Sequence, residues 1–127
     1  MKSKIVTKIP KIVLTYGVVG DTLNALLEVA KSNNVIVRQV MPSELDVKIS
    51  QLLKVKQLNL EQYPPDCDTC ILMANFDSSS IDAFLKDIKS NHIDITLKAM
   101  LTPTNRIWTF NRLLENLRLE HEKFMNR

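Results

Sequence analysis

Apolar residues in this chain fall into short continuous runs separated by stripes at helical spacing. Ile12, Val13, Leu14, Thr15 and Tyr16 form one such run, and a break at Gly17 to Gly20 follows it. Leu23, Leu26, Leu27 and Ala30 then recur at the spacing of an amphipathic helix. The pattern predicts a strand followed by a helix, with Asp21 as N-cap and Asn33-Asn34 ending the helix in a left-handed conformation. Val35 to Val40 predicts a second strand.

A shift of 58 positions brings the same pattern back. Cys70 to Phe76 is an apolar run, Asp77 or one of Ser78 to Ser80 can cap, and Ile81, Phe84, Leu85 and Ile88 repeat the stripe. Lys31-Ser32-Asn33 becomes Lys89-Ser90-Asn91, Ala25 and Leu27 match Ala83 and Leu85, and Val35-Ile36-Val37 becomes Ile93-Asp94-Ile95. Residue identities, helical phase and stop signal agree together, which predicts an internal duplication of a β-α-β unit.

Each copy continues into more helix: a short one near 43–53 and a long one over about 110–125. In the long one Phe110, Leu113, Leu114, Leu117, His121 and Phe124 share a stripe, Thr109 can cap, and Trp108 can pack on Leu113 as a hydrophobic staple. The expected organisation is one domain, with repeat 1 over about 12–53, a long loop over 54–68 containing Pro64-Pro65, and repeat 2 over about 70–125.

Alternating strands and helices predict an α/β three-layer sandwich on a four-stranded parallel sheet of order 2-1-3-4. Helices one and four would cover one face and helices two and three the other. The third strand, Ile71-Leu72-Met73-Ala74, is apolar on both alternating sets, as burial on two faces requires. The alternative is a ferredoxin-like α+β fold with extra helices, which also centres strands one and three. The parallel sheet is preferred because the connection between copies contains a helix where a hairpin would be expected.

Leu97 to Asn105 (Leu-Lys-Ala-Met-Leu-Thr-Pro-Thr-Asn), then Trp108-Thr109, Leu113, Leu117 and Glu120-His121-Glu122, resembles the bacterial family known as domain of unknown function 3783. The similarity spans roughly 70–125, with the Phe76 to Lys89 segment resembling the family's capped strand-to-helix passage; the N-terminal half is similar only in outline. Pro103 stands where the family commonly has an acidic residue, and Arg112 where a glutamate would complete a capping box with Thr109. The resemblance implies a bacterial cytoplasmic protein and no activity.

Composition narrows the function classes. With 45% hydrophobic and 24% charged residues and a net charge of +3, the 127-residue chain reads as an ordinary globular protein without a strong pull towards polyanions. Basic residues up to Lys11 precede the apolar Ile12 to Val19, but Pro10 and Gly20-Asp21 do not fit a secretory signal, and no stretch approaches the roughly 20 apolar residues of a membrane span. Two cysteines offer no extracellular disulfide framework, so the cytoplasm is expected.

Cys67-Asp68-Thr69-Cys70 is a CxxC running from loop into strand, with no helix dipole to lower a thiol pKa, so a buried Cys70 and an idle Cys67 are expected. Only His92 and His121 could join the cysteines around zinc, without paired spacing, and no metal or cofactor is implied. Gly17-Val18-Val19-Gly20 lacks the third glycine and the lysine of phosphate loops, and Asp21 adds a negative charge there. His121, on the apolar stripe, reads as a core-edge histidine. Lys2, Lys4, Lys8 and Lys11, with Arg106, Arg112, Arg118, Lys123 and Arg127, could serve nucleic acid, but Glu115, Glu120 and Glu122 interleave, and a solvated mixed-charge face is preferred.

In an open parallel sheet, ligands bind beyond the carboxyl ends of the strands where strand order reverses. That rule would bring Tyr16 and Gly17 beside Asn75 and Asp77, with Thr102, Thr104, Asn105 and Trp108 at the same edge. Hydroxyl and amide groups without a nucleophile, base or metal set favour a noncatalytic interaction or regulatory module. A small-molecule or anion binder is the alternative, and nucleic-acid binding the second. Thr102 to Trp108 can equally be a hydrogen-bonded turn that presents the last helix.

Overall fold

The computed structural model describes residues 9–57 and 59–125. Four strands, β1 (Lys11–Tyr16), β2 (Val35–Gln39), β3 (Cys70–Ala74) and β4 (Leu97–Met100), form one sheet in the order β2-β1-β3-β4. The helices are α1 (Gly20–Ser32), α2 (Ile49–Leu52), α3 (Ser78–Ser90) and α4 (Phe110–Met125). The expected strand order holds, and β3 is buried at every position.

Strand direction corrects the all-parallel expectation. β1 pairs with β2, and β3 with β4, in parallel, but the central pair β1 and β3 is antiparallel, so the α/β sheet is mixed. The ferredoxin-like alternative would make every neighbouring pair antiparallel, which the two parallel pairs contradict. Thr15 is level with Gln39, and Tyr16 with Cys70, so the connection from β2 to β3 begins and ends at the same edge of the sheet.

Flipping β3 also moves a helix. A right-handed crossover sets the face of its helix once strand direction and the side of the second strand are given. β3 runs opposite to β1 and its parallel partner lies on the other side, so both crossovers emerge on the same face. Accordingly α1 and α3 pack together over Val13, Ile71 and Met73, through Leu26, Val29, Phe84 and Ile88. α2 and α4 cover the other face, where Ile49, Leu52, Phe110, Leu113 and Leu114 meet Leu14, Cys70, Leu72 and Leu97. The expected pairing of helices one with four and two with three is thereby overturned.

The two β-α-β units match closely in their first two elements. α1 and α3 are each 13 residues long with bounds 58 positions apart, and the pairing Ile12↔Ala74 maps onto Cys70↔Tyr16 under the same shift. Both helices stop on an asparagine, Asn33 and Asn91, followed by a left-handed residue, Asn34 at φ 58° and His92 at φ 54°. They part at β4. Ile93 and Ile95 are buried under α3 but unpaired, and the strand begins at Leu97. The three capping expectations divide: Asp77 caps α3 and Thr109 receives the Arg112 N–H, whereas α1 starts at Gly20 after Val19, leaving Asp21 in its first turn. The predicted helix over 43–53 is a 3-10 turn at Pro42–Glu44 followed by the single turn of α2.

Candidate functional site

The antiparallel centre splits the expected site between two opposite edges. Tyr16 and Gly17 lie at one edge with the 61–68 loop, whereas Asn75, Asp77, Thr102, Thr104 and Asn105 lie at the other, where β3 and β4 end. The switch-point crevice that would have joined them does not exist.

At the β3/β4 edge the polar side chains have internal partners. Asn105 is 7% exposed; its Oδ1 accepts from Thr102 N (2.9 Å) and its Nδ2 donates to Met100 O (3.0 Å). Thr102 Oγ1 accepts from Asn105 N at 3.0 Å. This reciprocal pair closes the turn that leads to α4, and Trp108 completes it by accepting the Ile49 N–H at its carbonyl, with the Arg112 guanidinium 4.6 Å from its ring centroid. Asp77 accepts from Ser80 N (2.8 Å) and from Ser79 Oγ, and these bonds, the backbone one foremost, hold its carboxyl below the ordinary range. Asn75 donates to Pro10 O at 2.9 Å. Thr104 alone of these residues is exposed with no side-chain cap bond.

At the Tyr16 edge the 61–68 loop lies across the end of β1. Gly17 sits under it at φ 77°, and a Cβ there would come 2.2 Å from Asp68 O and 3.0 Å from Cys67 Sγ. Tyr63 donates to Val40 O (2.8 Å) and packs edge-on against Tyr16, with ring centroids 4.9 Å apart. Arg118 of α4 pairs with Asp68. Beside this strap Gly17, Gln62, Tyr63 and Cys67 line a groove of about 510 Å³. Burial raises the pKa of Tyr63 and of Cys70 to about 12 each, and raises Tyr16 and Cys67 above their ordinary values. Neither thiol is in a disulfide, and both are held protonated, the opposite of what a redox nucleophile requires. Among the described residues, no three His, Cys, Asp or Glu side chains gather as a metal set.

One further expectation is settled by α4. Its first half is buried through Phe110, Leu113 and Leu114, but every residue from Leu119 to Met125 is exposed, so His121 is not a core-edge histidine. Of the basic residues considered for nucleic acid, Lys2, Lys4, Lys8 and Arg127 lie outside the described residues. What the sequence pattern missed is this overhang: Phe124 continues the core stripe by spacing yet is 69% exposed. Phe124 lines a groove of about 210 Å³ together with Leu97, Lys98, Leu117, Glu120 and His121.

The geometry defines a class of protein: two parallel β-α-β units joined through an antiparallel central pair, with one helical layer on each face. Residues 69–124, the second unit and α4, match the family model described as Domain of unknown function (DUF3783). The resemblance read from Leu97 to Glu122 is thereby established for that segment. No curated protein and no solved structure matches the chain. Among the described residues no helix is long and apolar enough to cross a membrane.

Proposed function

We propose that the protein is a noncatalytic interaction module that docks a protein partner through the projecting end of α4 and the adjoining start of β4. The observation that carries this reading is the continuation of the α4 core stripe, through Leu117 and His121 to Phe124, beyond the part of the helix that the sheet covers. Phe124 with the groove it lines beside Leu97 and Leu117 makes an apolar patch rimmed by Lys98, Glu120 and His121, a surface that favours a partner which removes it from solvent. The reading is also supported by the consumption of the polar groups at the β3/β4 edge in internal bonds, and by thiols held protonated.

The same reading takes the chain as one domain, its two units as descendants of a duplicated β-α-β element, and its home as the bacterial cytoplasm. The matched left-handed positions and helix bounds support the duplication. A photo-crosslinking phenylalanine in place of Phe124 tests the docking surface in cells. An adduct is expected there and none from the same group in place of Glu28, which is exposed on α1. No adduct at either position would overturn the reading.

A second reading, a small-molecule binder at the carboxyl end of β1, is favoured by the groove beside Gly17 and Tyr63. A ligand of that groove should raise the Tm of the wild type and lose the effect in Gln62→Trp, which fills the space. An equal rise in both proteins would place the ligand elsewhere.

A further inference from the structure

We infer that the partner of the α4 end is a second copy of this chain, docked antiparallel on the same surface. The inference rests on the reading of α4 as a docking element and names its occupant.

The residues of α4 that line the groove, half-buried Leu117 and exposed Glu120, His121 and Phe124, are complementary to themselves. When two copies of this helix lie antiparallel with Leu117 of one against Phe124 of the other, the register returns Phe124 against Leu117, because a two-fold contact is made by the same patch on both sides. The same register brings Glu120 against the other copy's His121, and His121 against its Glu120. These four residues lie within one turn-to-turn stripe, since positions three and four apart share a helix face. Apolar meets apolar and acid meets imidazole, twice.

The groove gives the phenyl ring somewhere to go. Its volume of about 210 Å³ is walled by Leu97, Leu117 and the chain's own Phe124, with Lys98, Glu120 and His121 at the rim. A benzyl side chain fits that space, and the incoming Glu120 then approaches Lys98 as well as His121. Two helical turns and one groove are less than the roughly 1,200 Å² of a standard stable interface, so the association is of the weak, reversible kind.

Sedimentation velocity and light scattering of the full chain, from about 10 μM to about 1 mM, read the outcome. The weight-average mass is expected to climb from 14.5 kDa towards twice that value. Phe124→Glu and Glu120→Lys should each weaken association at least about tenfold, a loss of about 1.4 kcal/mol. Glu120→Lys with His121→Glu should recover part of it by exchanging the acidic and basic partners across the two-fold, with Lys98 left unexchanged; all three sites are exposed, and circular dichroism checks that each variant is folded. A wild type that stays monomeric at about 1 mM, or a dimer indifferent to Phe124→Glu, overturns the inference. A monomer whose Phe124 crosslinker captures a different protein overturns self-association while leaving the docking reading intact. Absence of any adduct removes both.

Discussion

Gly17 and Asn75 are the same position in the two halves of the sheet: each is the first residue after a central strand, and each turns the chain at positive φ, 77° and 69°. Their surroundings differ. Gly17 lies beneath the Asp68 carbonyl, whereas Asn75 is exposed and reaches Pro10 O with its side chain. Gly17→Ala should therefore cost about 3 kcal/mol or more, from left-handed strain and a Cβ pressed into backbone. Asn75→Ala should cost about 1–2 kcal/mol, from conformational preference and one exposed hydrogen bond. Urea unfolding of both variants measures the contrast, and equal losses would refute the role given to the 61–68 strap.

Arg38, 7% exposed, holds Glu44 with two bonds of 2.8 and 2.9 Å and also donates to Gln39 O and Val55 O. Glu44→Ala should cost about 2–3 kcal/mol, because the guanidinium stays buried without its counter-charge. The Arg38 bonds, aided by the Met41 N–H, lower the Glu44 pKa against the opposing effect of burial. Its contribution is thus complete above the ordinary value of 4.5 and is lost as pH falls through the lower folded value. Acid unfolding should retreat to lower pH in wild type than in Glu44→Gln.

Asn105 and Thr104 are adjacent in sequence and opposite in environment. Asn105→Ala removes both side-chain bonds of the turn before α4 and leaves Met100 O and Thr102 N to find water, at about 2–3 kcal/mol. Thr104→Ala, at an exposed residue, should stay within about 0.5 kcal/mol. Thermal unfolding separates the two; a neutral Asn105→Ala would mean that the turn does not hold α4.

Thr15 Oγ1 is buried with no hydrogen-bond partner among the described residues. Thr15→Val keeps the shape of the side chain and removes that cost, so it should be neutral or stabilise by up to about 1 kcal/mol. A loss of stability comparable to a core truncation would show that the hydroxyl is satisfied.

The thiols should be inert. Cys70, fully buried with its pKa pushed up to about 12, should resist alkylation at pH 8 until the protein unfolds, and Cys67 should react more slowly than free cysteine. Labelling of Cys67 faster than free cysteine, read by mass spectrometry, would contradict the raised pKa.

The sequence by itself determined the strands around Val13 and Leu72, the two helices ended by Asn33 and Asn91, the burial of Cys70, and the order of the strands. The first three follow from hydrophobic period and from capping chemistry, which act within a few residues of chain, and the order follows from the connections that alternating strands and helices impose. Strand direction in the central pair does not: the long connection before Cys70 can deliver either direction, and no residue in it records which. Once tertiary packing sets β3 antiparallel to β1, the handedness of the crossovers puts α1 and α3 together and separates Tyr16 from Asn75 and Asp77. The same holds for Phe124. Its spacing is that of a core residue, but whether a helical stripe is buried depends on how far the sheet beneath it extends, and here α4 runs on past the start of β4.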